Sequence, residues 1–165
     1  MFPTDCILFV PSNSVSMYKS TQYWRNYASH IIGYDFDNGI VDGIEIDVTV
    51  GSVVDVTGDP DYEEDYPSDS TMCIKIEGNG EVLESIKFYA SKNIPAETTP
   101  EEALARSDAK DLSDTHIPNM LKHGFTLLVA TNLTPGATYE VFLGFTTIYG
   151  TTQYYHTQYT PVAAK

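Results

Sequence analysis

The chain has 165 residues, 42% of them hydrophobic and 12% aromatic, and a net charge of −14 from 23 Asp and Glu against 9 Lys and Arg. That balance argues against nucleic acid and against an anionic membrane surface, because phosphate-bearing partners reward clustered positive charge. No run approaches the roughly 18 apolar residues a membrane helix needs, so membrane insertion is not expected.

The N-terminus, Met1-Phe-Pro-Thr-Asp-Cys-Ile-Leu-Phe-Val, has no basic residue before its short apolar run and no small-residue cleavage site. It does not read as a signal peptide. Residues 7–10 predict a short strand. Over 16–32, Met17, Trp24, Tyr27, Ala28 and Ile31 recur at roughly helical spacing, with Gly33 as a stop. The Thr, Ser and aromatic content suits an extended arm equally. Residues 1–43 are therefore set apart as an N-terminal extension or docking arm, with Phe2, Ile7, Phe9, Trp24 and Tyr27 as its contact residues.

From Ile44 the pattern changes. Ile44, Ile46, Val48, Val50, Val54 and Val56 share one parity, with Glu45, Asp47, Thr49 and Asp55 on the other, which predicts one long strand with a single buried face. Residues 58–70 are rich in carboxylates and proline with no apolar period, a solvated loop. A second strand puts Met72, Ile74 and Ile76 inward, Gly78-Asn79-Gly80 makes a tight turn, and 82–90 returns as a third strand. Thr99, Pro100 and Glu102 form a helix start continued by Ala103, Leu104, Ala105 and Ala109. Residues 111–123 read as irregular, broken by Pro118. Strands are expected over 125–130, 139–147 and 152–159.

Between two of these strands lies Leu133-Thr-Pro-Gly-Ala-Thr-Tyr139. Pro135 fixes φ near the value a turn needs, Gly136 accepts positive φ, and the Tyr139 hydroxyl is placed to pin a crossover between sheets. The strand order together with Leu133, Pro135, Gly136, Tyr139 and the closing Thr160-Pro161 resembles a fibronectin type III domain. The resemblance covers about 44–162 and implies, for a domain over 44–165, an all-β, immunoglobulin-like sandwich of about seven strands with one short inserted helix. It also implies that Tyr139 is the corner tyrosine and that Leu133 plugs the base of the core. The family's usual second-strand tryptophan is replaced by Ile74 or Ile76, and no Arg-Gly-Asp is present.

Motifs that carry chemistry are few. Asp42-Gly-Ile-Glu-Ile-Asp47 resembles the active-site strand of chitinase-like glycoside hydrolases, but Thr49 stands where the proton-donating acid belongs. Calcium is the one ion these carboxylates suggest, through Asp35, Asp37 and Asp42 or through Asp59 and Asp61. The first group has Ile40 where a calcium loop wants glycine, and the second lacks defined spacing, so solvated turns are the simpler reading. Cys6 and Cys73 both sit in apolar runs and suit small buried hydrophobes. A disulfide between them stays open.

The last strand and its turn place Tyr149, Tyr154, Tyr155, His156 and Tyr159 together as a candidate binding surface, since a phenol ring offers apolar area with a polar tip. No positioned nucleophile or acid and base pair is visible, so no enzyme and no cofactor is expected. The expected role is structural: a sandwich docked by its arm onto protein partners in a larger assembly, or onto copies of itself. That role fits a virion or cell-surface setting such as phage capsid decoration or a fibre-associated protein. The alternative is a carbohydrate-binding or spacer module of a bacterial surface protein or secreted glycosidase, with glycan as ligand.

Overall fold

A computed structural model describes residues 6–37, 40–41, 46–95 and 97–164. The N-terminal part is a folded unit with its own sheet. Strand β1 (Leu8–Pro11) pairs in parallel with β2 (Ile31–Asp35), and β3 (Ile40–Val41) pairs antiparallel with β2. The crossover holds α1 (Val15–Ser20) and a 3-10 segment, Trp24–His30.

The single helix expected over 16–32 is therefore interrupted. Thr21 is extended at φ −72° and ψ 151°. Ser20 Oγ donates to the Met17 carbonyl and Thr21 Oγ1 to that of Tyr18, both at 3.1 Å, competing with the backbone bonds that would continue the helix. Val10, Ile31 and Val41 are buried inside this unit. Among the described residues, every substantial packing contact of β1, β2, β3 and α1 is made within the same group of elements.

Strand β4 (Ile46–Gly51) is shorter than the expected 44–56, and Ile44 lies outside the described residues. The chain turns into α2 (Val53–Thr57) because Ser52 Oγ accepts from Asp55 N at 3.1 Å and Gly58, at φ 75°, stops the helix. The valine parity of Val54 and Val56 therefore belongs to a helix. The loop that follows contains one turn of helix, α3 (Tyr62–Asp65).

Strand β5 (Met72–Gly78) pairs with β4, setting Cys73 across from Gly51. Both cysteines are free, Cys6 exposed and Cys73 buried, which corrects the reading of Cys6 as an interior residue. Burial pushes the Cys73 thiol up to about 11. The folded chain should thus titrate as a single thiol with Ellman's reagent at pH 8 and as a pair in denaturant. Rapid reaction of both in the native state would contradict the burial of Cys73.

The Gly78-Asn79-Gly80 segment does not close a hairpin. A 3-10 turn at Gly80–Val82 carries the chain from β5 into a different sheet, where β6 (Leu83–Ser91) lies. Helix α4 (Pro100–Leu104) starts as its sequence predicts, with Thr99 Oγ1 accepting from Glu102 N at 3.2 Å. After β7 (Lys110–Asp111) comes α5 (Ser113–His123), where irregular chain was expected. Asp111 accepts from Ser113 N at 3.0 Å at its start, and Gly124 ends it at φ 78°. Pro118 costs this helix one backbone bond, offset by burial of His116 and Met120. His116 Nδ1 meets the Thr126 hydroxyl at 2.6 Å, and burial holds its imidazole below the usual value.

Strands β8 (Phe125–Ala130), β9 (Tyr139–Thr147) and β10 (Thr152–Tyr159) follow as the sequence predicts. The sheets run β4-β5-β8 and β10-β9-β6-β7. They share one core: Met72, Ile74, Ile76 and Leu128 from the first sheet meet Ile86, Phe88, Val141, Leu143 and Phe145 from the second, with Met120 of α5 among them. The chain is thus β-rich, with three sheets and short helices.

The corner between β8 and β9 is built by local chemistry. Ala137 N donates to the Thr134 carbonyl at 3.2 Å, and Gly136 at the third turn position has φ 73°, a type II arrangement with Pro135 at the second. Gly136 N donates to the Pro161 carbonyl at 3.1 Å and Thr134 N to the Tyr139 hydroxyl at 2.8 Å. Leu133 packs against the shared core. Tyr139→Phe removes that acceptor and should cost about 1 kcal/mol, a fall of about 3–5 °C in melting temperature. An unchanged melting curve would remove the corner's energetic role.

Candidate functional site

Alternation along β9 sends Tyr139, Val141, Leu143 and Phe145 into the shared core and leaves Glu140, Phe142, Gly144 and Thr146 on the opposite face. That outer face is partly roofed. Phe142, fully buried, packs with Tyr89, Ala103 and Leu104 in a second small core under α4, with Ile94 and Ala109 at its margin. Glycine at position 144 leaves room for the Leu104 side chain against the strand. A Cβ there would lie 2.8 Å from Leu104 Cδ1.

Beside the roof is a cavity of about 220 Å³ lined by Lys87, Glu101, Gly144, Thr146, Thr152 and Tyr154. The Thr146 and Thr152 hydroxyls meet at 3.1 Å across its floor, and Tyr154 is 43% exposed at its rim. Arg106 stacks over the Tyr89 ring at 5.2 Å and bonds Asp108 at 3.2 Å, closing the roof on the other side.

Across β9 and β10, Glu140, His156 and Gln158 form a polar set. His156 Nε2 lies 2.6 Å from Glu140 Oε2, and Gln158 Nε2 donates to Glu140 Oε1 at 2.5 Å. The register makes this possible, pairing His156 with Phe142 and Gln158 with Glu140. The imidazole lies flat on the Phe142 ring, centroids 4.3 Å apart at 14°. Burial pushes the Glu140 carboxyl up, but the bonds from Gln158 and His156 outweigh it and hold the group below the usual carboxylate range. With both oxygens engaged, Glu140 is an orienting anion rather than a free base. The face offers a tyrosine ring, hydroxyls and the cations Lys87 and Arg106, the means of non-covalent contact.

The residues predicted as one binding surface divide. Tyr154 and His156 share this outer face, whereas Tyr155 and Tyr159 turn inward and pack on the shared core. Tyr149 is half-buried in the β9–β10 turn, its N donating to Thr147 Oγ1 at 3.2 Å. The correction follows from strand parity, which cannot place adjacent residues on one face.

Of the docking-arm residues, Ile7 is 38% exposed, Phe9 packs on Tyr34 at 5.2 Å, and Trp24 and Tyr27 are half-buried against Tyr23. Phe2 and Asp42 lie outside the described residues. The calcium candidates form local turns: Asp35 Oδ1 accepts from Asp37 N and Asp59 Oδ1 from Asp61 N, each at 3.0 Å. Among the described residues no three His, Cys, Asp or Glu side chains converge.

Lys87, Glu101, Glu140, Phe142 and Gly144 were not singled out from sequence. One signal was present: Phe142 is apolar on the parity opposite to Val141, Leu143 and Phe145, which marks a strand covered on both faces. Among the described residues no helix is long and apolar enough to cross a membrane. No known protein family matches the chain, and neither does any curated protein or solved structure.

Proposed function

We propose that this chain is a non-enzymatic interaction module, a fibronectin type III-like β-sandwich attached to a larger assembly through its N-terminal unit. Phage capsid decoration and fibre-associated proteins are the kind of virion component it suits. The sandwich reading is supported by the three-plus-four sheets β4-β5-β8 and β10-β9-β6-β7, the core between them, and the Thr134–Tyr139 corner bond.

The observation that carries the docking role is the economy of the N-terminal unit. Folded units below about 40 residues need a disulfide, a metal or a partner to hold together. Residues 6–41 bury Val10, Ile31 and Val41, and Cys6 is free. Met17 is 57% exposed, Tyr23 62% and Phe36 61%. A partner that covers these side chains supplies the missing burial.

The test starts from the genomic neighbourhood of the reading frame, which should hold virion genes, and continues with mass spectrometry of purified particles of that phage, followed by co-sedimentation. The full chain should be found in the particles and should sediment with stripped particles when added back. A chain lacking residues 1–45 should keep its main thermal transition and stay in the supernatant. Absence from the particles overturns the virion reading, and sedimentation of the truncated chain overturns docking through this unit.

A second reading, glycan binding, is favoured by Tyr154 at the rim of the outer-face cavity. Glycan-array signal lost in Tyr154→Ala supports it, and a silent array removes it.

A further inference from the structure

The four-stranded sheet ends at β10, whose outer edge pairs with no strand among the described residues. Natural sheets blunt such edges with brevity, charge, proline, bulges or a covering element. The other edges here are treated in these ways. Strand β7 is the two residues Lys110–Asp111, β8 has α5 packed on it, and β4 carries Asp47 and turns at once into α2.

Helix α4 reaches strand β10 over the outer face of the sheet, but brevity, charge, proline and bulges are all missing from its edge. Its eight residues, Thr-Gln-Tyr-Tyr-His-Thr-Gln-Tyr, include no proline, glycine, lysine, arginine, aspartate or glutamate, and its register with β9 runs from Thr152 to Tyr159 without a bulge.

The geometry points to a second copy of this chain as the partner of that edge, with β10 antiparallel to β10 across a twofold axis in one continuous sheet. Charge narrows the choice of surface. Two copies each carrying −14 repel one another over most of their surfaces, and least along a strand with no carboxylate.

The sequence of β10 complements itself. Directly opposed residues in an antiparallel pair share a face, so an axis perpendicular to the sheet, which keeps both cores on one side, pairs residues of like parity. Centred on Tyr155, the pairing sets Tyr155 on Tyr155, Tyr154 against His156, Gln153 against Thr157 and Thr152 against Gln158. Each is an aromatic or a hydroxyl–amide pair, the kinds that stabilise neighbouring strands. Centring on His156 instead would oppose two imidazoles and leave every tyrosine of the strand opposite Thr or Gln. The tyrosine-centred register is therefore the one assigned.

This inference is independent of the docking reading, since self-association is measured on the purified chain alone. Light scattering up to about 100 µM should give twice the 18.3 kDa chain mass at the upper end, falling to the monomer on dilution. Tyr154→Glu brings like charges together near the axis and should weaken association at least about tenfold while the far-UV spectrum stays native. In a Cys6→Ser background, Gln153→Cys with Thr157→Cys should give a disulfide-linked dimer on mild oxidation, and Gln153→Cys alone should not. A native chain that stays monomeric over this range overturns the proposal. So does a dimer that Tyr154→Glu leaves intact and that the paired cysteines fail to link.

Discussion

Phe142→Ala is expected to cost about 3–5 kcal/mol, the usual range for emptying a fully buried phenylalanine site. Phe142 has no exposed surface and holds three things at once: Leu104 and Ala103 of α4, the Tyr89 ring, and the His156 imidazole stacked on its face. The adjacent Gly144 has no side chain to take over the contact with Leu104. The melting temperature should fall by about 10–20 °C, and the segment over 92–110 should become the first site of limited proteolysis. Ile74→Ala, in the shared core, should lower stability comparably without exposing that segment. A Phe142→Ala protein destabilised by less than about 1 kcal/mol would show that the second core contributes little.

The next largest effect is expected at Glu140. Its carboxylate accepts from two side chains while nearly buried, and charged hydrogen bonds of this kind contribute about 1–3 kcal/mol together with the penalty for stranding a partner. Glu140→Gln should lose about that much at pH 7. The pH dependence has a definite sign. Because the folded carboxyl is held below its ordinary value of about 4.3, its contribution is complete above that pH and disappears as pH falls through the lower, folded value. The native chain should lose stability steeply below about pH 4, whereas Glu140→Gln should be flatter there. Equal acid slopes in urea unfolding for the two proteins would remove Glu140 from the account.

Strands 125–130, 139–147 and 152–159 were legible because period-two alternation is a local property set between strong turn residues. The start of α4 was legible for the same reason, through Thr99 and Pro100. Elements where two local signals conflict are not legible in this way. Valine parity concealed the Ser52 and Asp55 cap of α2, and Pro118 outweighed the Asp111 start and Gly124 stop of α5. In both cases tertiary burial decided between the signals, and burial is not written in the window that shows them.

The outer face was less legible. Tyr154 and His156 could be named from sequence, but their companions Glu140, Phe142, Lys87 and Glu101 come from three other elements. Which of them meet depends on the register of β9 with β10 and on the close approach of α4 over Gly144.

Strand β9 has one partly exposed residue, Thr146, among otherwise buried ones, with a core on each side and a strand on each edge. Its amide protons therefore have no local route to deuterium. They should exchange only when the β9 domain opens globally, which makes their protection a direct reading of that domain's free energy of opening. The amides on the free edge of β10 should exchange through small local openings. A hydrogen-exchange profile that steps sharply between these two neighbouring strands would mark the boundary between the part of the molecule that stays shut and the part free to meet something else.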